Sequence, residues 1–245
     1  IELNREVREE YVEWLKDNPY DNGPAWPGPP WSQVEMPLKR ETVENAAKKS
    51  NKALFIVARN AGESRDNYIG DGSYFLNETE RENLKLVTEC FDKVCVVLNV
   101  GNIIDMKFVK EYAPQAVMYV WQGGQEGGNG VLDLLTGKVN PSGSLVDTYC
   151  YDNYSSPAMQ NFVPTTYGGY DGKNIPSNAK SYMIYQEGIY VGYKYYETRY
   201  EDYVMGTGNA GNYAYGEDVA FPFGYGLSYT SFTYSDVSTV YNAET

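Results

Sequence analysis

The residues with the most chemical content lie at Ala58–Asn67, which read Ala-Arg-Asn-Ala-Gly-Glu-Ser-Arg-Asp-Asn. They follow Lys52–Val57, a short apolar run with β-branched residues of the kind that forms a buried parallel strand. Polarity switches abruptly at its end. Gly62 lends the turn freedom, and Glu63, Arg65 and Asp66 follow in close order. In α/β sheets ligand chemistry gathers in the loops at the carboxyl ends of strands. Glu63 is therefore the first acidic side chain to consider for a reaction, set against the plainer reading of a solvated charged loop.

The chemistry open to the chain is narrowed by what it lacks. None of its 245 residues is histidine, which removes a Ser-His-Asp set and removes His as a metal ligand or base. Cys90, Cys95 and Cys150 are too few and too scattered for a disulfide framework or a zinc site. No partner base is apparent for a nucleophilic cysteine, and Cys95 lies in an apolar run where a small buried thiol is expected. Gly123-Gly124-Gln125-Glu126-Gly127-Gly128 opens a helix after a strand, where a phosphate could be cradled. It lacks the Lys-Ser/Thr of a P-loop and the spacing of a dinucleotide fingerprint. Its glycines are better read as allowing close packing and a tight turn, and no metal or cofactor is expected.

Carboxylate chemistry remains. Hydrolysis of a glycosidic bond needs two carboxyl groups, one donating a proton to the leaving oxygen and one acting from the opposite side. The donor must stay protonated near neutral pH, through partial burial or a neighbouring negative charge. Glu63 can supply one group; nothing in the chain clearly supplies the other. A net charge of −13 argues against a nucleic-acid surface, since phosphate binding needs a basic excess. No apolar run reaches membrane-spanning length and no signal peptide is visible, so the cytoplasm is the expected compartment. Twenty-five tyrosines suit sugar surfaces and domain interfaces, because the ring packs while the hydroxyl hydrogen-bonds.

The elements that must position Glu63 follow from pattern. Asn4–Asp17 predicts a helix with Val7, Tyr11, Trp14 and Leu15 on one face. Asn18–Pro37 is proline-rich, cannot be a regular element and should wrap a surface, with Trp26 and Trp31 as anchors. Glu41–Lys49 predicts a short helix into the first strand. Asn77 with Glu80 fits a capping box, so a helix should run over Glu78–Cys90. Strands are expected at Lys93–Asn99, Gln115–Val120 and Ser144–Thr148, with helices at Ile104–Tyr112 and up to Leu135. This alternation predicts an α/β fold, a parallel sheet with helices on both faces. From Cys150 onward the chain is rich in Tyr and Gly. Gly188–Glu197 is expected to be a strand, and Arg199–Asp218 a loop.

Four segments together resemble the α/β-sandwich domain of the family 3 glycoside hydrolases, the β-glucosidase and β-xylosidase group: Ala61–Asn67; Trp121–Gly143, WQGGQEGGNGVLDLLTGKVNPSG; Tyr185–Glu197, YQEGIYVGYKYYE; and Phe221–Phe232, FPFGYGLSYTSF. The resemblance spans roughly Ala53 to Tyr234. It implies a three-layer α/β/α sandwich, flavodoxin-like, with an irregular Tyr/Gly-rich C-terminal region. In that family a (β/α)8 barrel supplies an aspartate nucleophile, and the sandwich supplies the acid/base glutamate on a loop often written Gly-Glu-Gly-x-Asp-Arg. The matching positions here are Gly62, Glu63, Ser64, Arg65, Asp66 and Asn67, with Ser64 in place of the second glycine and Asn67 in place of the arginine. The resemblance thus implies an acid/base role for Glu63. Asp66 would either support the loop or tune Glu63, and Arg65 would either reach sugar hydroxyls or pair with an acidic neighbour.

The barrel and its Ser-Asp-Trp-like segment are absent from the sequence. The wrap and the loop's form look most like the permuted branch of the family, in which sandwich, fibronectin-like domain and barrel follow in that order. The expectation is a fragment divided into an N-terminal helix and wrap (1–50), a sandwich (51–235) and the start of a linker (236–245). Its partners would be a β-glucoside or oligosaccharide and the barrel and fibronectin-like domains of the parent chain, with no nucleic acid or membrane. The rival readings are a non-catalytic carbohydrate-binding or interaction module and, more distantly, a flavodoxin-like nucleotide or flavin binder.

Overall fold

Three apolar runs lie side by side in the computed structural model, which describes residues 2–63, 66–162, 165–166, 181–208 and 210–241. They are β1 (Lys52–Arg59), β2 (Lys93–Val100) and β3 (Ala116–Tyr119), parallel throughout and ordered β1-β2-β3. Lys52 stands opposite Lys93, and Cys95 opposite Ala116. The two-residue period of a strand then sorts the side chains. Val57 of β1 and Val94, Val96, Leu98 and Val100 of β2 are all buried on the core side.

Helices cover that side. α1 (Arg5–Asp17) leads through the proline-rich segment to α2 (Arg40–Ala47), and α3 (Glu78–Cys90) and α4 (Lys107–Tyr112) form the crossovers around β2. Val43, Leu84, Val87 and Phe108 from these helices join the strand valines in one cluster, each such side chain contributing about 1.5–3 kcal/mol when fully buried. The opposite side of the edge strand β1 stays open, with Leu54 45% and Ile56 62% exposed. α3 starts where the capping box places it. Asn77 Oδ1 accepts from the Glu80 N–H at 2.9 Å and Glu80 Oε2 accepts from the Asn77 N–H at 2.8 Å.

After α5 (Gly127–Leu135) the architecture changes. β4 (Tyr149–Cys150) is followed by α6 (Pro157–Gln160), β5 (Thr165–Thr166), β6 (Ser181–Tyr182), α7 (Tyr193–Met205), α8 (Tyr215–Asp218) and β7 (Val219–Phe221). β4 pairs antiparallel with β7, and β5 with β6. Cys150, Tyr196, Tyr213 and Val219 form a second, smaller core.

Four expectations need correction. Ser144–Thr148 is not a strand of the parallel sheet; Leu145 instead exchanges backbone hydrogen bonds with Tyr225 and Gly224, each 2.8 Å. Gly188–Glu197 is a turn running into α7, because Gly192 (φ +60) starts a helix whose Tyr193 N–H donates to Asp147 Oδ1 at 3.0 Å. The same helix occupies the first part of the expected Arg199–Asp218 loop. Trp26 is 61% exposed, so it is not a buried anchor of the wrap. Trp31, half-buried, packs edge-on against Tyr68 with ring centroids 5.4 Å apart. Among the described residues no helix is long and apolar enough to cross a membrane.

Candidate active site

The chain leaves β1 at a buried arginine. Arg59 continues the inward-facing series Ala53, Phe55, Val57, so its guanidinium enters the protein rather than the solvent. There Nη1 and Nη2 donate to the two carboxylate oxygens of Glu80 at 2.6 and 2.7 Å. The remaining donors reach the carbonyls of Ala58, Ser73 and Phe75 at 2.8, 3.2 and 3.2 Å. Glu80 therefore closes the helix cap and neutralises the strand end at once.

From this fixed point the loop carrying Glu63 departs, and both of its ends are fastened. At the start, the Asn60 N–H donates to the Trp31 carbonyl at 2.7 Å and its side-chain amide to the Pro30 carbonyl at 2.5 Å. At the end, Asn67 Nδ2 donates to the Ile103 carbonyl at 2.7 Å, while its Oδ1 accepts from Asn102 Nδ2 at 3.1 Å and Ser73 Oγ at 3.3 Å. Between them Glu63 sits on an exposed turn, and Asp66 is also exposed. Ser64 and Arg65 lie outside the described residues. Among the described residues no cation pairs with Glu63. The residue is exposed at the edge of the sheet.

The neighbouring strand ends pack into the same edge. A Cβ on Gly101 would come within 3.0 Å of Ala61 Cβ and 3.2 Å of Gln122 Cγ, so the β2 loop packs tightly between its two neighbours and a side chain there would push one of them aside. Gln122 Nε2 donates to the Arg59 carbonyl at 3.1 Å. It turns back after Trp121, a bulky residue held at φ +56, the left-handed region that such side chains rarely enter. The Tyr119 hydroxyl donates to the Asn102 carbonyl. Burial pushes that hydroxyl up to about 12, so it keeps its proton as pH rises past the ordinary tyrosine range.

The glycine run after Trp121 has a packing role as well. A Cβ on Gly123 would meet the Gly127 Cα at 2.8 Å, and Gly124 holds φ +66. Burial pushes the Cys150 thiol up to about 12, which leaves it protonated and a poor nucleophile. Among the described residues no three His, Cys, Asp or Glu side chains are placed to hold a metal ion. A groove of about 590 Å³ lies elsewhere, between Lys107, Lys110, Glu111, Tyr151, Gly216 and Glu217, and includes no residue of the Glu63 loop. Glu63 itself is exposed at the edge of the sheet.

The family profile described as "Glycosyl hydrolase family 3 C-terminal domain" matches residues 6–193. The chain belongs to glycoside hydrolase family 3. A β-glucosidase of Ruminococcus albus is 42% identical over 233 residues, which are 95% of this chain and 21% of that protein. The crystal structure of a β-glucosidase from Paenibacillus barengoltzii is similar with a TM-score of 0.77 at 41% identity, covering 95% of this chain and 22% of that one. β-Glucosidase 3B of Thermotoga neapolitana, solved with glucose, has a TM-score of 0.69 at 29% identity, covering 97% and 30% of the two chains. The chain therefore spans less than a third of each of these relatives.

The second and fourth of the segments that carry the family 3 resemblance hold each other, and the third is tied to its own neighbours. Asn140, from the second segment, accepts on Oδ1 from Ser228 Oγ and the Tyr229 N–H of the fourth, both at 3.0 Å. A Cβ on Gly226 would strike the Gly143 carbonyl oxygen at 2.4 Å, so the two segments meet backbone to backbone. Glu197 of the third segment accepts from Thr148 Oγ1 at 2.8 Å and the Tyr215 hydroxyl at 2.7 Å. Sequence reasoning did not anticipate Arg59, Asn60 or the anchoring role of Asn67. The signal for Arg59 was available: it occupies the inward phase of β1, and a charge there requires a partner.

Proposed function

We propose that this chain is the acid/base part of a retaining β-glucosidase, with Glu63 as proton donor and the nucleophilic carboxylate supplied by a separate barrel domain of the same protein. The observation that carries this reading is an exposed glutamate, with no cation paired to it among the described residues, on a loop whose two ends are tied to the fold. In the first step Glu63 gives its proton to the glycosidic oxygen as the C–O bond breaks and the nucleophile bonds to the anomeric carbon. In the second, the resulting Glu63 carboxylate takes a proton from the water that releases the sugar. A general acid at an open lip needs a second surface to exclude water and keep it protonated, and the barrel would provide that surface. Asp66 supports the loop, and Arg65 reaches either sugar hydroxyls or a neighbouring carboxylate. The names of the relatives point to a β-glucoside as substrate.

Two measurements test this. The purified chain alone should not hydrolyse a nitrophenyl β-glucoside above background. Turnover by the chain, abolished by Glu63→Gln, would put both carboxyl groups here and overturn the division of labour. In the full-length protein, Glu63→Ala assayed in azide should form β-glucosyl azide, because a small anion fits the vacated space and needs no base to attack the glycosyl-enzyme. Formation of the azide by the wild-type protein and not by the variant would remove Glu63 from the role.

A further inference from the structure

The segment between α1 and α2 touches the Glu63 loop on both flanks. On the incoming side the carbonyls of Pro30 and Trp31 hold the side chain and backbone N–H of Asn60 at 2.5 and 2.7 Å. On the outgoing side the Trp31 indole meets the Tyr68 ring edge-on, with an interplanar angle of 89°. One residue later, Ser32 Oγ lies so close beneath Gly72 that a Cβ there would come within 2.6 Å of it. Three consecutive residues thus contact positions 60, 68 and 72, bracketing the loop from both ends.

The segment is itself tied to the rest of the fold. Gln33 clasps Asp21, accepting from its N–H at 2.7 Å and donating to its carbonyl at 3.1 Å. Downstream, the buried side chain of Asn83 accepts from the Leu38 N–H and donates to the Met36 carbonyl, both at 2.8 Å. Asn83 lies on α3, the helix whose Glu80 holds Arg59 at the base of the same loop. Arg59, α3, the proline-rich segment and Asn60 therefore form a closed mechanical circuit around the loop's origin. Proline's fixed φ stiffens the strap further.

We propose that Pro30–Ser32 is a clamp that sets the spacing and tilt of the Glu63 loop, with Trp31 as a positioning residue for proton transfer. This rests on Glu63 being the proton donor. A general acid must reach hydrogen-bonding distance of the leaving oxygen. A displacement of about 1 Å by a remote change can cost roughly 100-fold. Trp31 acts through its carbonyl on Asn60 and its ring on Tyr68.

The test is a leaving-group series on the full-length protein. Trp31→Ala should lower kcat/KM for cellobiose by about 10- to 100-fold, while a dinitrophenyl β-glucoside, whose aglycone departs without a proton, changes far less. Trp31→Phe, which keeps a ring against Tyr68, should recover most of the loss. Tyr68→Ala, on the exposed side of the contact, should reproduce the Trp31→Ala pattern and serves if Trp31→Ala does not fold. A merely structural role would lower both substrates equally by removing active protein, and that result overturns the clamp. Glu63→Ala in the same series separates the two ideas. If Glu63→Ala is selective for poor leaving groups and the Trp31 and Tyr68 variants are not, the clamp fails while the proton-donor reading stands. If Glu63→Ala loses both substrates equally, that reading fails and the clamp falls with it.

Discussion

In the full-length protein, Glu63→Ala should cut kcat/KM for cellobiose by roughly 100- to 10,000-fold, the range of general acid catalysis. A dinitrophenyl β-glucoside should be largely spared. The difference follows from the leaving oxygen. A sugar alkoxide cannot depart without a proton, whereas a dinitrophenolate departs as an anion. The second half of the reaction sharpens the contrast. Without a carboxylate to deprotonate water, the glycosyl-enzyme hydrolyses slowly, so for the activated substrate kcat should fall while kcat/KM holds, and KM should fall with kcat. Pre-steady-state measurement should then show a burst of phenolate equal to the enzyme concentration. Equal losses on both substrates, with no burst, would assign Glu63 to loop structure instead.

Breaking the Arg59–Glu80 pair should be the most damaging single change to the fold described here. The two side chains are 1% and 7% exposed and meet at 2.6 Å. Removing one member of a buried ion pair typically costs about 3–5 kcal/mol, because the other charge is left without a partner. Arg59→Met does more than that. It also strips the Ser73 and Phe75 carbonyls of a donor and releases the segment that returns to Asn67. Against a typical total stability of about 5–15 kcal/mol, that loss is a large share of what holds the fold. The double variant Arg59→Met, Glu80→Leu should recover a good part of the loss, since no buried charge remains, but it still forfeits the Glu80 half of the capping box, the bond from the Asn77 N–H. Urea unfolding of the three proteins reads these differences directly. A loss below about 1 kcal/mol for Arg59→Met would place it among solvent-exposed pairs and contradict the burial on which the expectation rests.

The parts of the fold legible in the sequence were those set by local rules. β1, β2 and β3 announce themselves through short apolar β-branched runs, and α3 through the reciprocal Asn77–Glu80 cap. The misreadings share one cause. Ser144–Thr148 has the composition of a strand, but its backbone partner is Gly224–Tyr225, a segment far along the chain that local pattern cannot nominate. Gly188–Glu197 alternates weakly, yet Asp147 captures the Tyr193 N–H and commits the following residues to helix. The same division holds at the site. That Glu63 follows a strand end was visible from polarity alone. That Asn67 would fasten the loop through Ile103, Asn102 and Ser73 was not, because each partner is a tertiary neighbour.

The Asn140 clasp fixes an order of assembly. Its bond to Thr230 joins residues 90 positions apart, roughly twice the interval between Lys52 and Lys93 in the β1–β2 register. At equilibrium the longer closure costs only about 0.6 kcal/mol more. On a ribosome, where domains form as the chain emerges, the difference is one of timing. The three-stranded sheet and the base of the Glu63 loop can assemble while the Tyr/Gly-rich half is still being made. The Asn140 clasp cannot close until Ser228, Tyr229 and Thr230 have left the exit tunnel.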